Sequence, residues 1–210
     1  MKTIELFNHD KDIQLEGYKY ICGIDEAGRG PLAGPVSVAC VIMPLDDMID
    51  GINDSKKLSE KKREYLYETI LDKAISYSIV LVDNREIDRI NILEATKQAM
   101  REAVSKLNVS PDLVLIDAVK LNCGYPERSI IKGDATSYNI ASASILAKVT
   151  RDRLMREYDE KYPEYQFEKN KGYGTRAHID ALKTYGPTKI HRKSFIGNFV
   201  DVSYSYEEIR

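Results

Sequence analysis

Four carboxylates stand at places where a chain turns from regular structure into loop. Asp25 and Glu26 follow the apolar run Ile21–Ile24, Asp117 ends the run DLVLID, and Asp134 follows Gly133 just ahead of a long helical pattern. Acids gathered at strand ends repel one another unless a cation neutralises them, and hard oxygen donors suit Mg²⁺ or Mn²⁺. Gly28, Arg29 and Gly30 follow the first pair after Ala27, with Gly34 close behind. Glycine lets a backbone approach another molecule closely, and a guanidinium is a forked donor for phosphate. Together these residues point to metal-assisted attack on a phosphodiester, with two ions about 3.5–4 Å apart. Taken alone, an Asp-Glu pair also reads as a water-facing turn, and Asp134 also reads as a helix cap. Neighbouring residues on a regular strand face opposite ways, so Glu26 joins Asp25 only if the backbone turns, which Ala27-Gly28 permits.

Further polar groups could hold a polyanion. Ser55, Lys56 and Lys57 precede a helix capped by Ser59, a plausible phosphate contact. Net charge is −2, yet Lys169 to Lys193 carries seven Lys or Arg against one acid, Asp180. A basic segment on a mildly acidic chain attracts a polyanion without making the whole surface adhesive. A solvated helix face is the plain alternative.

The totals bound the rest. The chain has 210 residues, 43% apolar and 30% charged, which predicts one globular domain with an ordinary core. No apolar run approaches the roughly 18 residues of a membrane span, and the opening residues are too polar for a signal peptide. A cytoplasmic protein with no membrane partner is expected. Cys22, Cys40 and Cys123 show no zinc or CxxC spacing; the first two read as small buried strand residues. The three histidines, His9, His178 and His191, form no metal-binding spacing.

The elements that must place the acids follow from periodicity. Strands are expected over 18–25 and 35–43, as an antiparallel pair, and over 76–83, 112–117 and 129–132. Helices are expected from Ser59 to about Ala74, with Leu66, Ile70, Ala74 and Tyr77 inward, and after Asn91, with Leu93, Met100, Val104 and Leu107 inward. A long helix is expected over 137–158. A short one after Thr175 turns Ile179, Leu182 and Tyr185 inward and stops at Gly186-Pro187. Strand-helix alternation predicts parallel neighbours, bringing Asp25 and Asp117 to one sheet edge. The plan is a single catalytic domain over 1–210: a core over about 18–160 and a basic helical subdomain over about 161–210.

Five motifs in order, GIDEAGRGPLAGPV, DSKKLS, IDRINILEATKQAM, LIDA and SASILAKVTRDRLM, closely resemble the ribonuclease HII family, from about Tyr20 to Phe195. The resemblance implies an α/β fold, a ribonuclease H-like mixed five-stranded sheet flanked by helices with a small helical C-terminal part. It implies Mn²⁺ or Mg²⁺ as cofactor, two ions per site with substrate bound, held by Asp25, Glu26, Asp117 and Asp134. It implies that Gly28, Arg29 and Gly30 contact the ribonucleotide's 2′-hydroxyl and adjoining phosphate, and that Tyr173 stacks beneath the following sugar. Ser55, Lys56, Lys57 and Arg192 are expected to bind substrate as well. The implied partners are RNA/DNA hybrids and DNA duplexes containing ribonucleotides, cut 5′ of the ribonucleotide to leave 3′-hydroxyl and 5′-phosphate ends. Asn139 stands where the family pattern expects serine, and HRKSF replaces HRRSF. The ending SYSYEEIR carries no clamp-binding motif, so no protein partner is named and a monomer is expected. A non-catalytic nucleic-acid-binding module of the same fold is the rival reading, and a nuclease acting generally on junctions or hybrids is a third.

Overall fold

The computed structural model describes residues 3–117 and 120–209; Ala118 of the LIDA motif and Arg210 of the ending lie outside them. In chain order the elements are α1 (Thr3–Leu15), β1 (Ile21–Ala27), β2 (Val36–Ile42), α2 (Glu60–Lys73), β3 (Ser76–Val82), α3 (Asn84–Ile90), α4 (Ile92–Ser105), β4 (Leu113–Asp117), β5 (Glu127–Ile130), α5 (Tyr138–Lys161), α6 (Phe167–Asn170), α7 (Arg176–Tyr185) and α8 (Lys193–Ile196). The strands form one mixed sheet in the order β3-β2-β1-β4-β5. β1 is antiparallel to β2 and parallel to β4, and β4 is parallel to β5. The expected sheet and hairpin are therefore present.

Residues cluster into two compact units. The first comprises 1–27, 37–80 and 97–149; the second comprises 28–36, 81–96 and 150–210. Each has its own apolar cluster. In the first, Val41, Leu66, Ile70, Leu115, Ile140 and Leu146 are among the buried residues. In the second, Leu32, Met155, Tyr165, Phe167 and Leu182 are. Burying side chains of this size is the main favourable contribution to folding.

Caps fall where their chemistry predicts. Ser59 accepts from the Lys62 amide, Asn91 from those of Leu93 and Glu94, and Thr175 from that of His178. Some inward stripes differ from expectation. Tyr77 belongs to β3 and is exposed, because its helix has already ended at Lys73. On α4, Leu93 is exposed and the small residues Ala95, Ala99 and Ala103 are buried beside Met100 and Val104. Tyr185 is exposed, and on α7 His178 and Ala181 are buried beside Leu182.

Candidate active site

In the first unit the parallel register pairs Ile24 with Ile116. Asp25 and Asp117 are the next residues of their two strands. Gly133 is buried, and a Cβ built on it would stand 3.4 Å from that of Asp117. The short turn Gly133–Ala135, which carries Asp134, therefore lies against the end of β4. Asp134 does not cap α5. That role falls to Ser137, which accepts from the Ile140 amide, and to Asp10 of α1. Asp10 is fully buried and takes three hydrogen bonds through one oxygen: from the Ser137 hydroxyl at 2.9 Å and from the Asn139 amide and side chain at 2.8 Å each. Asn139 also accepts from the Met43 amide at the end of β2. Nothing in the sequence marked Asp10, because a cap supplied from a remote helix leaves no local spacing to read.

The strand does not turn at the acid pair. β1 stays in register with β2 through Glu26↔Val38 and Ala27↔Ser37, and the backbone first takes positive φ at Gly28 (+94°). Asp25 nonetheless feels its neighbours. Lost hydration, then the Glu26 charge and then the Asp134 charge hold its carboxyl well above the usual value, against hydrogen bonds from the Glu26 backbone and Ser144. Ser144 is a buried residue of α5 that the sequence analysis did not single out; its hydroxyl also lies 2.7 Å from that of Ser55. Helix α5 can reach that far because Gly23 of β1 has no side chain: a Cβ there would stand 2.2 Å from the Asn139 carbonyl carbon.

Ser55 is buried, with its hydroxyl held by Ser144 and its carbonyl by Arg63, whereas Lys56 and Lys57 are exposed. Lys56 Nζ lies 3.4 Å from Asp134 Oδ2, and Lys57 Nζ 3.9 Å from Asp54. Partial burial works against the Lys56 charge, but Asp134, Asp54 and Asp25 outweigh it and hold the ammonium above its ordinary pKa.

As the side chains stand, no three His, Cys, Asp or Glu among the described residues converge on one ion position. The donor set still fits a hard divalent cation. It is all carboxylate, and Asp25 is loaded with the charge of two neighbouring acids, the condition a dication relieves.

In the second unit the glycine loop is built on two buried arginines. Arg192 donates to the carbonyls of Gly34, Arg29 and Gly28. Arg151 donates to those of Pro35, Ala33 and Lys171. Burial pulls Arg192 down to about 9 and Arg151 to about 10, so both stay charged at neutral pH. Arg192, expected to meet substrate directly, is thus fully enclosed, with its guanidinium committed to loop backbone; Arg29 and Gly30 are exposed. Leu32 N–H donates to Gly172 O at 2.8 Å, and at Gly172 (φ +81°) a Cβ would stand 2.5 Å from Ala33 O. Only glycine fits there. Tyr173 follows, 48% exposed, with a ring edge 3.7 Å from the place a Gly30 Cβ would take.

The family model described as Ribonuclease HII matches residues 22–198. The chain belongs to the ribonuclease HII family. Proteins named ribonuclease HII from Caldicellulosiruptor bescii and Acetivibrio thermocellus are 53% and 56% identical, over 93% and 95% of this chain and 96% and 78% of theirs. The crystal structure of the Pyrococcus horikoshii ribonuclease H2 superposes with a TM-score of 0.72 at 28% identity, covering 84% of this chain and 93% of that one. The ribonuclease HII in the Archaeoglobus fulgidus complex with PCNA gives 0.70 at 26% identity, covering 87% and 98%. Membership makes the chain an endoribonuclease of the type 2 ribonuclease H class, acting on RNA/DNA hybrids. Likeness to the Mn²⁺ complex of Bst-RNase HIII, at 17% identity and a TM-score of 0.57, extends the shared fold.

Proposed function

We propose that this chain cuts 5′ of a ribonucleotide, both in hybrids and where one ribonucleotide is embedded in duplex DNA, leaving 3′-hydroxyl and 5′-phosphate ends. The observation that carries the reading is geometric: Asp25 and Asp117 directly follow the paired strand residues Ile24 and Ile116, and the turn carrying Asp134 lies beside Asp117. A binding module has no use for acids set against each other in this way.

Asp25, Glu26, Asp117 and Asp134 would hold Mn²⁺ or Mg²⁺. Bound there, a pair of such ions supplies a Lewis acid for the scissile phosphate and an activated water. The chain's own groups do the rest. Ser144 orients the Asp25 carboxylate, and the ammonium of Lys56 offers a phosphate a positive contact, as does that of Lys57. Arg29, with the exposed backbone at Gly30, addresses the 2′-hydroxyl and the adjoining phosphate. That hydroxyl is the one group that distinguishes the target nucleotide from DNA. Tyr173 presents a flat apolar face to the next sugar and so senses whether RNA continues. Arg192 acts through the loop it holds. A cytoplasmic setting fits the three free thiols.

The deciding experiment is cleavage of a duplex carrying one ribonucleotide, with Mg²⁺ or Mn²⁺ against EDTA and with end-group analysis. The wild type should cut only with metal, and Asp117→Asn should lose at least 10²-fold in rate, on the scale of removing one preorganised electrostatic contact. Binding without a metal-dependent cut would favour the non-catalytic rival.

A further inference from the structure

His178 and His191 are thirteen residues apart in sequence, and both are fully buried. Their Nε2 atoms are 3.0 Å apart. Each Nδ1 has a partner of fixed character. The Thr188 backbone N–H, which can only donate, points at His191 Nδ1 from 2.9 Å, with the Thr188 hydroxyl at the same distance. His178 Nδ1 lies 2.9 Å from the Tyr173 carbonyl, which can only accept.

These partners leave one arrangement of protons. His191 Nδ1 accepts, so the neutral ring carries its hydrogen on Nε2 and donates it to His178 Nε2. That nitrogen then accepts, so His178 carries its hydrogen on Nδ1 and donates to Tyr173 O. The result is a directed chain from Thr188 N–H through two rings to one carbonyl. An added proton would set two N–H groups against each other, at the ring contact or at Thr188. Burial, followed by the neighbouring ring, pushes His191 down to about 3, and burial holds His178 below its ordinary value, so both rings are neutral.

The aromatic surroundings fix the rings in place. Phe167 stands edge-on to His178 at 5.3 Å, and Tyr165 edge-on at 6.2 Å. The residue at the end of the chain is also held on its other side. Tyr173 N–H donates to Asn170 O, and Gly172 before it is pinned to Leu32. The Tyr173 carbonyl also accepts from the Thr175 N–H at 2.8 Å, so His178 supplies one of its two donors, and the Tyr173 side chain lies at the surface.

We propose that the His178–His191 pair is a positioning element for Tyr173, setting the height of its ring beside Gly30 and thereby the preference for a single embedded ribonucleotide over continuous RNA. The inference rests on the reading of Tyr173 given above. It assigns the histidines no contact with substrate; they act through the Tyr173 backbone.

The test compares kcat/KM on a singly substituted duplex with that on an all-RNA hybrid strand, for the full chain and three variants. Tyr173→Ala should lower the ratio. His178→Phe fills the space but removes both hydrogen bonds, and should lower the ratio by about tenfold, the scale of one net hydrogen bond. The larger part of that loss should fall on the singly substituted duplex. His178→Asn can keep a donor near the Nδ1 position and should retain most of the ratio. If Tyr173→Ala lowers the ratio and His178→Phe does not, the inference fails and the reading of Tyr173 stands. If Tyr173→Ala leaves it unchanged, the reading fails and the inference with it. If His178→Asn falls as far as His178→Phe, the donor to Tyr173 is not what matters and the inference is overturned. Should His178→Phe not fold, nitrogen NMR of the wild type still decides: hydrogen on Nε2 of His191 and on Nδ1 of His178 is expected, and any other pairing overturns the directed chain.

Discussion

Lys56 Nζ stands 3.4 Å from Asp134 Oδ2, a positive side chain set beside an acid whose charge also reaches Asp25. The lysine is mostly exposed, so as an ion pair it is worth at most about 1 kcal/mol. Its value lies in what it offers a polyanion. Lys56→Met should leave thermal stability nearly unchanged, but should reduce the slope of log affinity against log salt by about 1 for a duplex bound in EDTA. Fluorescence anisotropy across a salt series would measure it, and an unaltered slope would confine Lys56 to its partnership with Asp134.

A second prediction concerns Asp25 and pH. Its folded pKa lies above the ordinary 3.8, so the folded chain holds this proton more tightly than the unfolded one. The metal-free protein therefore loses stability as pH rises from the unfolded value through the folded one, and then levels off. Asp25→Asn removes the charge, so D25N in EDTA should melt higher than wild type at neutral pH and lose that advantage toward pH 3. Each kcal/mol recovered is worth roughly 2–4 °C in a chain of this size. Added Mn²⁺ should reverse the order. Calorimetry with and without EDTA reads both, and a D25N variant that melts below the metal-free wild type at neutral pH refutes the account.

The two arginines of the loop should part company under mutation. Arg192→Lys keeps the charge but cannot serve three carbonyls, and leaving two of them without partners costs about 3 kcal/mol or more, roughly 6–12 °C in Tm. Arg29→Ala should cost less stability and more activity, with a tenfold to hundredfold loss of cleavage, about the worth of one charge-assisted contact. Melting curves beside cleavage rates distinguish them. An Arg192→Lys variant as stable as wild type would show that the loop does not hang on that side chain.

Much of this was legible because its causes are local. Ser59, Asn91 and Thr175 announce helix starts through hydrogen bonds two or three residues long. The apolar runs ending in Asp25 and Asp117 announce neighbouring strands. What escaped depends on contacts remote in sequence. Arg192 looked like a surface cation in a basic stretch, and no periodicity shows that it fills its donors with backbone some 160 residues away. Ser144 drew no notice in the sequence, because its hydrogen bond to Asp25 exists only once α5 lies on β1. Leu93 was assigned inward from helical spacing, whereas the buried face of α4 is made largely of Ala95, Ala99 and Ala103 and leaves that leucine exposed.

Asp10 carries a lesson for anyone who would shorten this chain. The family model begins at residue 22, so a fragment cut to its limits would discard α1 as an appendage. That fragment would strip the one acceptor shared by the Ser137 hydroxyl and both nitrogens of Asn139, at the foot of the helix that brings Ser144 to Asp25. The leading thirteen-residue helix is a foundation for another helix that comes long after it.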